Sequence, residues 1–370
     1  MTDLSDFNPS RLLLARQRRG WTKKSLADQT GLTSKTISMY ESGERSPTPE
    51  SLSAIAEALR FPVQFFAGKD IEAPSDENAS FRSFSRMTAA QRDAALAAGG
   101  IAYEFSDWID QRFQLPSPSV PDCTGLDPEI AAETVRAQWG LGSLPIKNMV
   151  HLLESKGVRV FSLAEETNQV NAFSCWRRGT TPFVFLNTQK SAEASRFDAA
   201  HELGHLVLHR HGSNKGKEVE NEANAFASAL LMPRDSVLAH GWKCRTTPDI
   251  IRGKKIWNVS AMALAYRLNK VGILTEWVYR GICIDLSSQG ARTNEIDPAP
   301  RETSQVLQKV LGLLRDQGKS IRSVASELNL TAEDLNPILF GLAPVMVEGT
   351  AGPLSSAKKT ELRLVHGAKG

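Results

Sequence analysis

RFDAAHELGHLVLH, at residues 196–209, is the stretch that decides how the middle of this chain folds. Its apolar residues have helical spacing, and no glycine or proline directly precedes the HExxH motif to break a helix. At about 100° per residue, His201 and His205 lie one turn apart on one face, so both imidazoles can reach one point. That arrangement suits two nitrogen ligands of a tetrahedral Zn²⁺, with Glu202 beside them as the base that takes a proton from metal-bound water.

A second helix is predicted at residues 219–231. Its apolar side chains form one stripe, and a proline ends it: Val219, Ala223, Phe226, Ala227, Leu230, Leu231 and Pro233. The turn-rich connection at residues 210–217 can bring the two helices side by side. A carboxylate of the second helix would then complete a His-His-Glu site with one position open for water, and both Glu220 and Glu222 are candidates. The alternative is a solvated helix that carries the motif with a degenerate or empty site.

These two segments resemble the ImmA/IrrE family of zinc metallo-endopeptidases. The family pattern RFDxAHELGHLxLH, followed by ExxANxFAxxLLMP, is matched nearly letter for letter by residues 196–209 and 220–233. In that pattern the recurring acid stands three residues before the alanine of AN, so the resemblance implies Glu220 instead of Glu222 as the third ligand. It also implies that Asn224, one turn later, braces a ligand histidine.

Two further polar residues of the pattern are expected to be structural. His209, the last residue of the first segment, could contact a ligand histidine from behind, but it is expected to pack or to face solvent. Tyr266 lies in an AxAYRL stretch that the family often has, and it is expected to be a core residue instead of an aid to an oxyanion.

Composition and charge are those of an ordinary water-soluble protein. The 370 residues carry a net charge of +3, with 41% hydrophobic and 23% charged residues, which predicts two or three domains with ample core. The chain contains no apolar run of about 18 residues, and its start lacks the basic and apolar regions of a signal peptide. The four cysteines include no CxxC pair, as expected of free thiols. We therefore predict a cytoplasmic protein with no membrane partner.

The beginning of the chain has the pattern of a compact helical unit. Helices are predicted at residues 23–30 and 34–41. Ala27, Gly31 and Ile37 have helix-turn-helix spacing, because a small residue permits close helix contact and glycine permits the turn.

The stretch at residues 11–59 strongly resembles the XRE, or phage-repressor-like, family of DNA-binding domains along its whole length. Between residues 11 and 35 there are seven Lys/Arg and a single acid, as a phosphate-binding surface requires. Polar side chains of the third helix are candidates for base edges and basic ones around it for phosphates: Ser34, Lys35, Thr36 and Ser38 for bases, and Lys23, Lys24 and Arg45 for phosphates. The alternative is a basic helical bundle that docks another protein.

The whole chain predicts an α+β, mostly helical protein. An all-α helix-turn-helix domain occupies residues 1–69, followed by a helical linker region at 70–145. A zincin-like metallopeptidase domain with a small sheet occupies residues 146–286. A linker at residues 287–303 then precedes a C-terminal helical interaction module at 304–345.

The C-terminal module again has helix-turn-helix rhythm, with Asn329 in place of the turn glycine. Its following helix carries Glu333 and Asp334, which phosphates would repel. We therefore predict that the module contacts protein and is not a second DNA-binding unit.

Together these patterns predict a DNA-binding transcriptional regulator with a zinc-dependent endopeptidase domain. In the ImmA/IrrE pattern the peptidase removes a helix-turn-helix repressor, so the expected substrate is a repressor-type protein or this chain itself, in a stress, phage or mobile-element response. The other expected partners are double-stranded operator DNA and a second copy in a homodimer. The alternative is a ligand- or metal-sensing XRE transcription factor whose zincin domain is not proteolytic.

Overall fold

The computed structural model describes residues 7–75, 87–163, 172–210, 216–240, 243–291 and 294–343. Within these ranges, helices surround one small sheet, which confirms the predicted α+β, mostly helical fold class. The helices are α1 Pro9–Arg18, α2 Lys23–Thr30, α3 Ser34–Glu41, α4 Pro49–Leu59, α5 Ala89–Asp110, α6 Pro128–Gln138, α7 Met149–Ser155, α8 Ala192–Leu208, α9 Lys217–Leu231, α10 Arg234–His240, α11 Thr247–Trp257, α12 Ala261–Lys270, α13 Glu276–Ser288, α14 Gln305–Asp316, α15 Ile321–Glu327 and α16 Ala332–Leu339. A 3₁₀ helix covers Val63–Ala67, and the strands are β1 Arg159–Ser162, β2 Phe173–Arg177 and β3 Thr181–Leu186. None of the described helices combines the length and the apolar character that crossing a bilayer requires.

Helices α1 to α4 form the N-terminal helical unit, in which α2 and α3 have the predicted bounds. Thr22 and Thr33 begin these two helices, because each side chain accepts the N–H of the third helical residue. Gly31 ends α2 with a φ of 69°, which glycine adopts without steric cost, so the chain can turn into α3. Leu26 and Ile37 are fully buried and hold the two helices against the rest of the unit.

The three-stranded sheet has the order β1-β3-β2, with β1 parallel and β2 antiparallel to β3. Side chains alternate along β2, so its two faces meet different helices. Cys175 lies 3.0 Å from the Tyr103 hydroxyl of α5, whereas Ser174 donates to Glu202 of α8 at 2.8 Å. The sheet is therefore the middle layer between α5 and α8, with β2 at one edge of the described strands.

Helix α5 is a buried layer inside the region predicted as a helical linker, residues 70–145. Pro74, which follows the N-terminal unit, crosses this helix at Gly99, where a Cβ would lie only 2.6 Å from the proline ring. Arg11 of α1 lies 3.9 Å from Glu104 of α5. The region thus joins the N-terminal unit to the sheet through packed contacts, and the predicted domain boundaries stay a prediction.

The segment predicted as a second linker, residues 287–303, is tied to the neighbouring helices in its described part. Lys254 of α11 is buried and pairs with Glu295 of this segment at 3.1 Å. Glu302 pairs with the buried Arg196 of α8. Because a buried charge is costly without its partner, these two ion pairs fix the segment against α8 and α11.

Helices α14 to α16 form the C-terminal module, whose last predicted residues, 344–345, lie outside the described residues. Asn329 has a φ of 54°, the left-handed conformation that Gly31 adopts in the first unit and that asparagine tolerates. Asp334 of α16 is fully buried and accepts a hydrogen bond from Arg19 of α1 at 2.8 Å. An acid that would repel DNA phosphates thus binds the N-terminal unit of its own chain.

Replacing Asp334 by alanine should destabilise the folded chain. The change leaves Arg19 without its partner and removes the carboxylate that Thr331 contacts at the start of α16, so the free energy of unfolding should fall by about 3 kcal/mol. Glu333→Ala is the matched control, because it faces Arg60 in an exposed pair and should cost less than about 1 kcal/mol. Urea unfolding followed by circular dichroism measures both variants, and equal effects would contradict the importance of the buried contact.

Candidate metal centre

The two helices of the motif segments, α8 and α9, lie side by side. Ser191 begins α8 by accepting the N–H of Ala194. Gly204 in the motif permits the close approach, since a Cβ there would lie 3.2 Å from the Cα of Ala223 and 3.1 Å from the ring of Phe226. The contact brings the face of α9 that carries Glu220 against the two histidines of the motif.

His201, His205 and Glu220 meet at this helix contact. The Nε2 atoms of the two histidines lie 3.1 Å apart. One carboxylate oxygen of Glu220 lies 3.4 Å from His201 Nε2, and the other lies 3.5 Å from His205 Nε2. Two imidazoles and one carboxylate therefore present their donor atoms to a single point.

These separations fit a metal ion. A tetrahedral ion with bonds of about 2.0–2.1 Å holds its ligand atoms about 3.4 Å apart. The nearest pairs of donor atoms here lie 3.1 to 3.5 Å apart, with a different Glu220 oxygen nearest to each histidine. Three protein ligands also leave one of four positions for water or substrate, as catalytic zinc sites do. The donor set of this chain is thus suited to the metal that the HExxH motif predicts.

Each histidine of the pair is held through its other ring nitrogen. His201 Nδ1 lies 3.0 Å from the side-chain oxygen of Asn224, so this nitrogen carries the proton and donates, which leaves Nε2 free for a cation. His205 Nδ1 lies 3.1 Å from Nδ1 of His209, whose Nε2 lies 2.8 Å from the Glu222 carboxylate. Asn224 therefore makes the contact with a ligand histidine that the resemblance implies.

His209 and Glu222 lie next to the three-residue cluster without belonging to it. His209 is buried and contacts His205 directly. Glu222, the competing carboxylate, contacts His209 and is not part of the three-residue cluster. One signal for His209 is present in the sequence, because histidines recur at every fourth position from His201 and so share one helix face.

Glu202 is buried beside the cluster, and Ser174 of β2 contacts it from the sheet. Ser174 Oγ donates to a carboxylate oxygen of Glu202 at 2.8 Å. Ser174 belongs to no motif of the sequence. The only signal for it is a small polar residue between Phe173 and Cys175, two apolar positions of a strand.

The members of the cluster shift one another's pKa values. Burial alone would raise the pKa of Glu220, but hydrogen bonds from His201 and His205 outweigh it and lower this pKa to about 2. Burial would lower the pKa of His201, but the hydrogen bond with Glu220 and the charge of Glu202 raise it. Glu220 is thus a carboxylate at neutral pH, and protons compete with a metal for His201.

His209→Ala should weaken metal binding without abolishing it. Residues that orient a metal-binding histidine contribute about 10- to 100-fold in affinity, and His209 fixes the ring of His205. Competition with a chelating dye measures the dissociation constant. His240→Ala is the control, because His240 contacts the backbone oxygen of Ser236, and its affinity should be that of the wild type. An unchanged affinity in His209→Ala would contradict the orienting role.

Tyr266 does not belong to the core. It is 42% exposed, and its ring lies 6.5 Å from the ring of Tyr279 on α13. The expectation of a core residue is wrong, because α12 buries its neighbours Leu264, Ala265 and Leu268 while position 266 points outward.

The predicted DNA contacts lie on α2, on α3 and in the turn after α3. Four of them are exposed and one is half-buried: Lys24, Ser34, Lys35 and Arg45, and Thr36. Lys23 Nζ donates to Ser38 Oγ at 3.0 Å and lies 3.6 Å from Glu41. A predicted phosphate contact and a predicted base contact are therefore engaged with each other.

Comparison with known proteins matches two separate segments of the chain. Residues 153–269 match the peptidase M78 family, described as an IrrE N-terminal-like domain, and residues 12–66 match a helix-turn-helix family. Over 66 residues the chain is 36% identical to the HTH-type transcriptional regulator SutR of Escherichia coli (strain K12). That alignment covers 18% of this chain and 37% of the relative. The chain thus joins a DNA-binding helix-turn-helix domain of the XRE type to a metallopeptidase-type domain of the IrrE N-terminal-like family.

Proposed function

We propose that this chain is a transcriptional regulator whose second domain is a zinc-dependent endopeptidase, and that it cleaves a repressor-type protein or a copy of itself. The observation that carries the proposal is the cluster of His201, His205 and Glu220, with the buried Glu202 beside it. A structural zinc is usually enclosed by four protein ligands, whereas this cluster offers three and a neighbouring carboxylate. That combination favours hydrolysis over a purely structural role.

Zinc suits this donor set better than the alternatives. Imidazole nitrogen favours zinc and its neighbours among the divalent metals, whereas Mg²⁺ and Ca²⁺ prefer oxygen ligands throughout. When bound, Zn²⁺ would make a water molecule more acidic and polarise the scissile carbonyl. His201, His205 and Glu220 would hold it, and Asn224 and His209 would keep both imidazoles in the required tautomer.

The remaining chemistry belongs to residues of the chain. Glu202 would take a proton from the water whose oxygen attacks the scissile carbonyl carbon, and it would return that proton to the amine nitrogen as the C–N bond breaks. Ser174 donates to that carboxylate at 2.8 Å and so holds it in one orientation. Strand β2 carries Ser174 and lies at an edge of the sheet, where it can pair with a substrate backbone in extended form.

Recognition of DNA would come from helix α3 of the N-terminal unit. Ser34, Lys35 and Thr36 lie on its first turn and can reach base edges in a major groove. Lys24 and Arg45 are exposed beside it and can neutralise phosphates. A regulator of this kind binds a two-fold operator as a homodimer, and cleavage of the repressor would relieve repression in a stress, phage or mobile-element response.

A second candidate function is a metal- or ligand-sensing regulator without proteolysis. Contacts through the C-terminal module favour it. Asp334 binds Arg19 of the DNA-binding unit, and the backbone oxygen of Phe340 accepts a hydrogen bond from Thr188, just before α8. A change at the metal helix could therefore reach the DNA-binding unit through this module.

Co-expression decides between the two functions. The wild type and Glu202→Gln are each produced with candidate repressors and with a tagged copy of this chain, under excess zinc and under DNA damage. A fragment that forms only with the wild type supports the peptidase and identifies its substrate. Identical protein bands, together with a metal-dependent change in reporter output, would favour the sensor and contradict proteolysis.

We expect the predicted DNA contacts to form two classes, phosphate contacts that set affinity and base contacts that set sequence preference. Lys24→Ala should weaken binding to all sequences and reduce the slope of log affinity against log salt by about 1. Replacing Ser34, Lys35 and Thr36 should relax sequence preference by about 1–3 kcal/mol per base contact. Lys255→Ala on α11, outside the DNA-binding unit, is the charge-matched control. Selection from random DNA with the full chain measures the preference, and no preference in the wild type would contradict this assignment.

A further inference from the structure

Three side chains form a hydrogen-bond chain that runs outward from the metal cluster: His205, His209 and Glu222. His205 Nδ1 lies 3.1 Å from His209 Nδ1, and His209 Nε2 lies 2.8 Å from the Glu222 carboxylate. Both distances are within hydrogen-bond range. His209, the middle member, therefore has one ring nitrogen engaged toward the cluster and the other toward α9.

The direction of these hydrogen bonds follows from what each atom can donate. When a metal takes Nε2 of His205, the proton of that imidazole is on Nδ1, which donates. His209 Nδ1 must then accept, so the proton of His209 is on Nε2, where it donates to Glu222. An ionised carboxylate can only accept, so Glu222 fits this arrangement of protons.

The opposite tautomer of His209 conflicts with both neighbours. With its proton on Nδ1, His209 would donate to His205 Nδ1, and the proton of His205 would then occupy Nε2, the atom that a metal needs. The lone pair of His209 Nε2 would also face the Glu222 carboxylate at 2.8 Å. A doubly protonated His209 would donate from both nitrogens and block His205 in the same way. Metal binding at His205 therefore requires one tautomer of His209.

We propose that Glu222 is a positioning residue of the metal centre, which acts through His209 to keep Nε2 of His205 free for the ion. The inference rests on the proposed function, because it needs a metal at His205. The tautomer of an imidazole is set by the hydrogen bond that its other nitrogen makes, so His209 needs an outer acceptor. Helix α9 thus supplies two acids with different tasks, Glu220 as a ligand and Glu222 as the outer end of the hydrogen-bond chain.

Two simpler roles for Glu222 make different predictions. As a structural contact it would contribute little to folding, because its side chain is 43% exposed and exposed ionic contacts are weak. As a distant negative charge it would attract Zn²⁺ whether or not His209 is present. Only the hydrogen-bond chain makes the effect of Glu222 on metal affinity depend on His209.

A double-mutant cycle on the full chain tests this dependence. Competition with a chelating dye gives the dissociation constant for Zn²⁺ in the wild type, Glu222→Ala, His209→Ala and the double variant. Glu222→Ala should weaken binding by about 3- to 10-fold, less than the roughly 10- to 100-fold of groups that contact a ligand directly. In the His209→Ala background the same change should have no further effect. Equal effects of Glu222→Ala in both backgrounds, or none in the wild type, would overturn the proposal.

Glu218→Ala is the matched control. Glu218 is an exposed glutamate one turn earlier on α9, so the change removes the same charge from the same helix. Its affinity for Zn²⁺ should be that of the wild type. A loss as large as that of Glu222→Ala would show that net charge, and not the contact with His209, sets the affinity, and so would contradict the proposal.

Nuclear magnetic resonance reads the tautomer itself. Long-range ¹⁵N–¹H correlation of the zinc-loaded chain, labelled at its histidines and held at pH 8, should show His209 protonated at Nε2 in the wild type and partly at Nδ1 in Glu222→Ala. The His209 signals are those missing from His209→Ala. Protonation at Nδ1 in the wild type would refute the hydrogen-bond chain. Neither experiment measures hydrolysis, so this proposal can fail while the peptidase stands, and a chain that binds zinc as described but cleaves nothing would contradict only the proposed function.

Discussion

Glu220→Ala should remove the metal from the purified protein, whereas Glu222→Ala should retain it. The carboxylate of Glu220 lies 3.4 and 3.5 Å from the two histidine nitrogens, and its pKa of about 2 keeps it charged and ready to bind a cation. Glu222 contacts only the outer histidine, His209, and lies outside the cluster. Loss of a direct ligand should therefore cost more than the roughly 100-fold that orienting residues contribute.

Mass spectrometry of metal content after dialysis against a weak chelator measures this difference. The wild type and Glu222→Ala should retain about one zinc per chain, while Glu220→Ala, His201→Ala and His205→Ala should each retain little. Circular dichroism checks that the variants are folded. Zinc content of the wild type should also fall on acidification, because the raised pKa of His201 lets protons compete. Metal loss in Glu222→Ala but not in Glu220→Ala would show that the third ligand is misassigned.

Glu202→Gln should abolish peptide hydrolysis and leave metal content unchanged. Glutamine has nearly the shape of glutamate but cannot accept the proton, and a positioned general base contributes about 10²- to 10⁴-fold in rate. The expected loss is therefore of that size in kcat, measured on a peptide from whichever substrate the co-expression experiment identifies. Activity equal to the wild type would place the base elsewhere.

Ser174→Ala is the companion variant. Ser174 acts through Glu202, to which it donates at 2.8 Å, so its removal should lower kcat by about 10-fold with little change in KM. Metal content should again match the wild type. A change confined to KM would indicate that Ser174 contacts substrate and does not position the base.

The features that could be predicted from the sequence alone are those that depend on residues close together in the chain. The helix-turn-helix unit follows from caps and a turn that act within a few residues, with Thr22, Gly31 and Thr33 marking where α2 and α3 begin or end. The pairing of His201 with His205 follows from helical periodicity in the same way. Such features need no knowledge of distant contacts, and the bounds of α2 and α3 agree with the prediction.

Tertiary structure decided which partners meet across the chain. Glu220 and Glu222 are two residues apart and so point about 200° apart around α9, and the packing of that helix over Gly204 determines which one faces the histidines. Ser174 reaches Glu202 only because the sheet lies on α8, and Asp334 reaches Arg19 only because the C-terminal module folds back. These contacts depend on how layers pack, and periodicity within one segment carries no information about the packing of another.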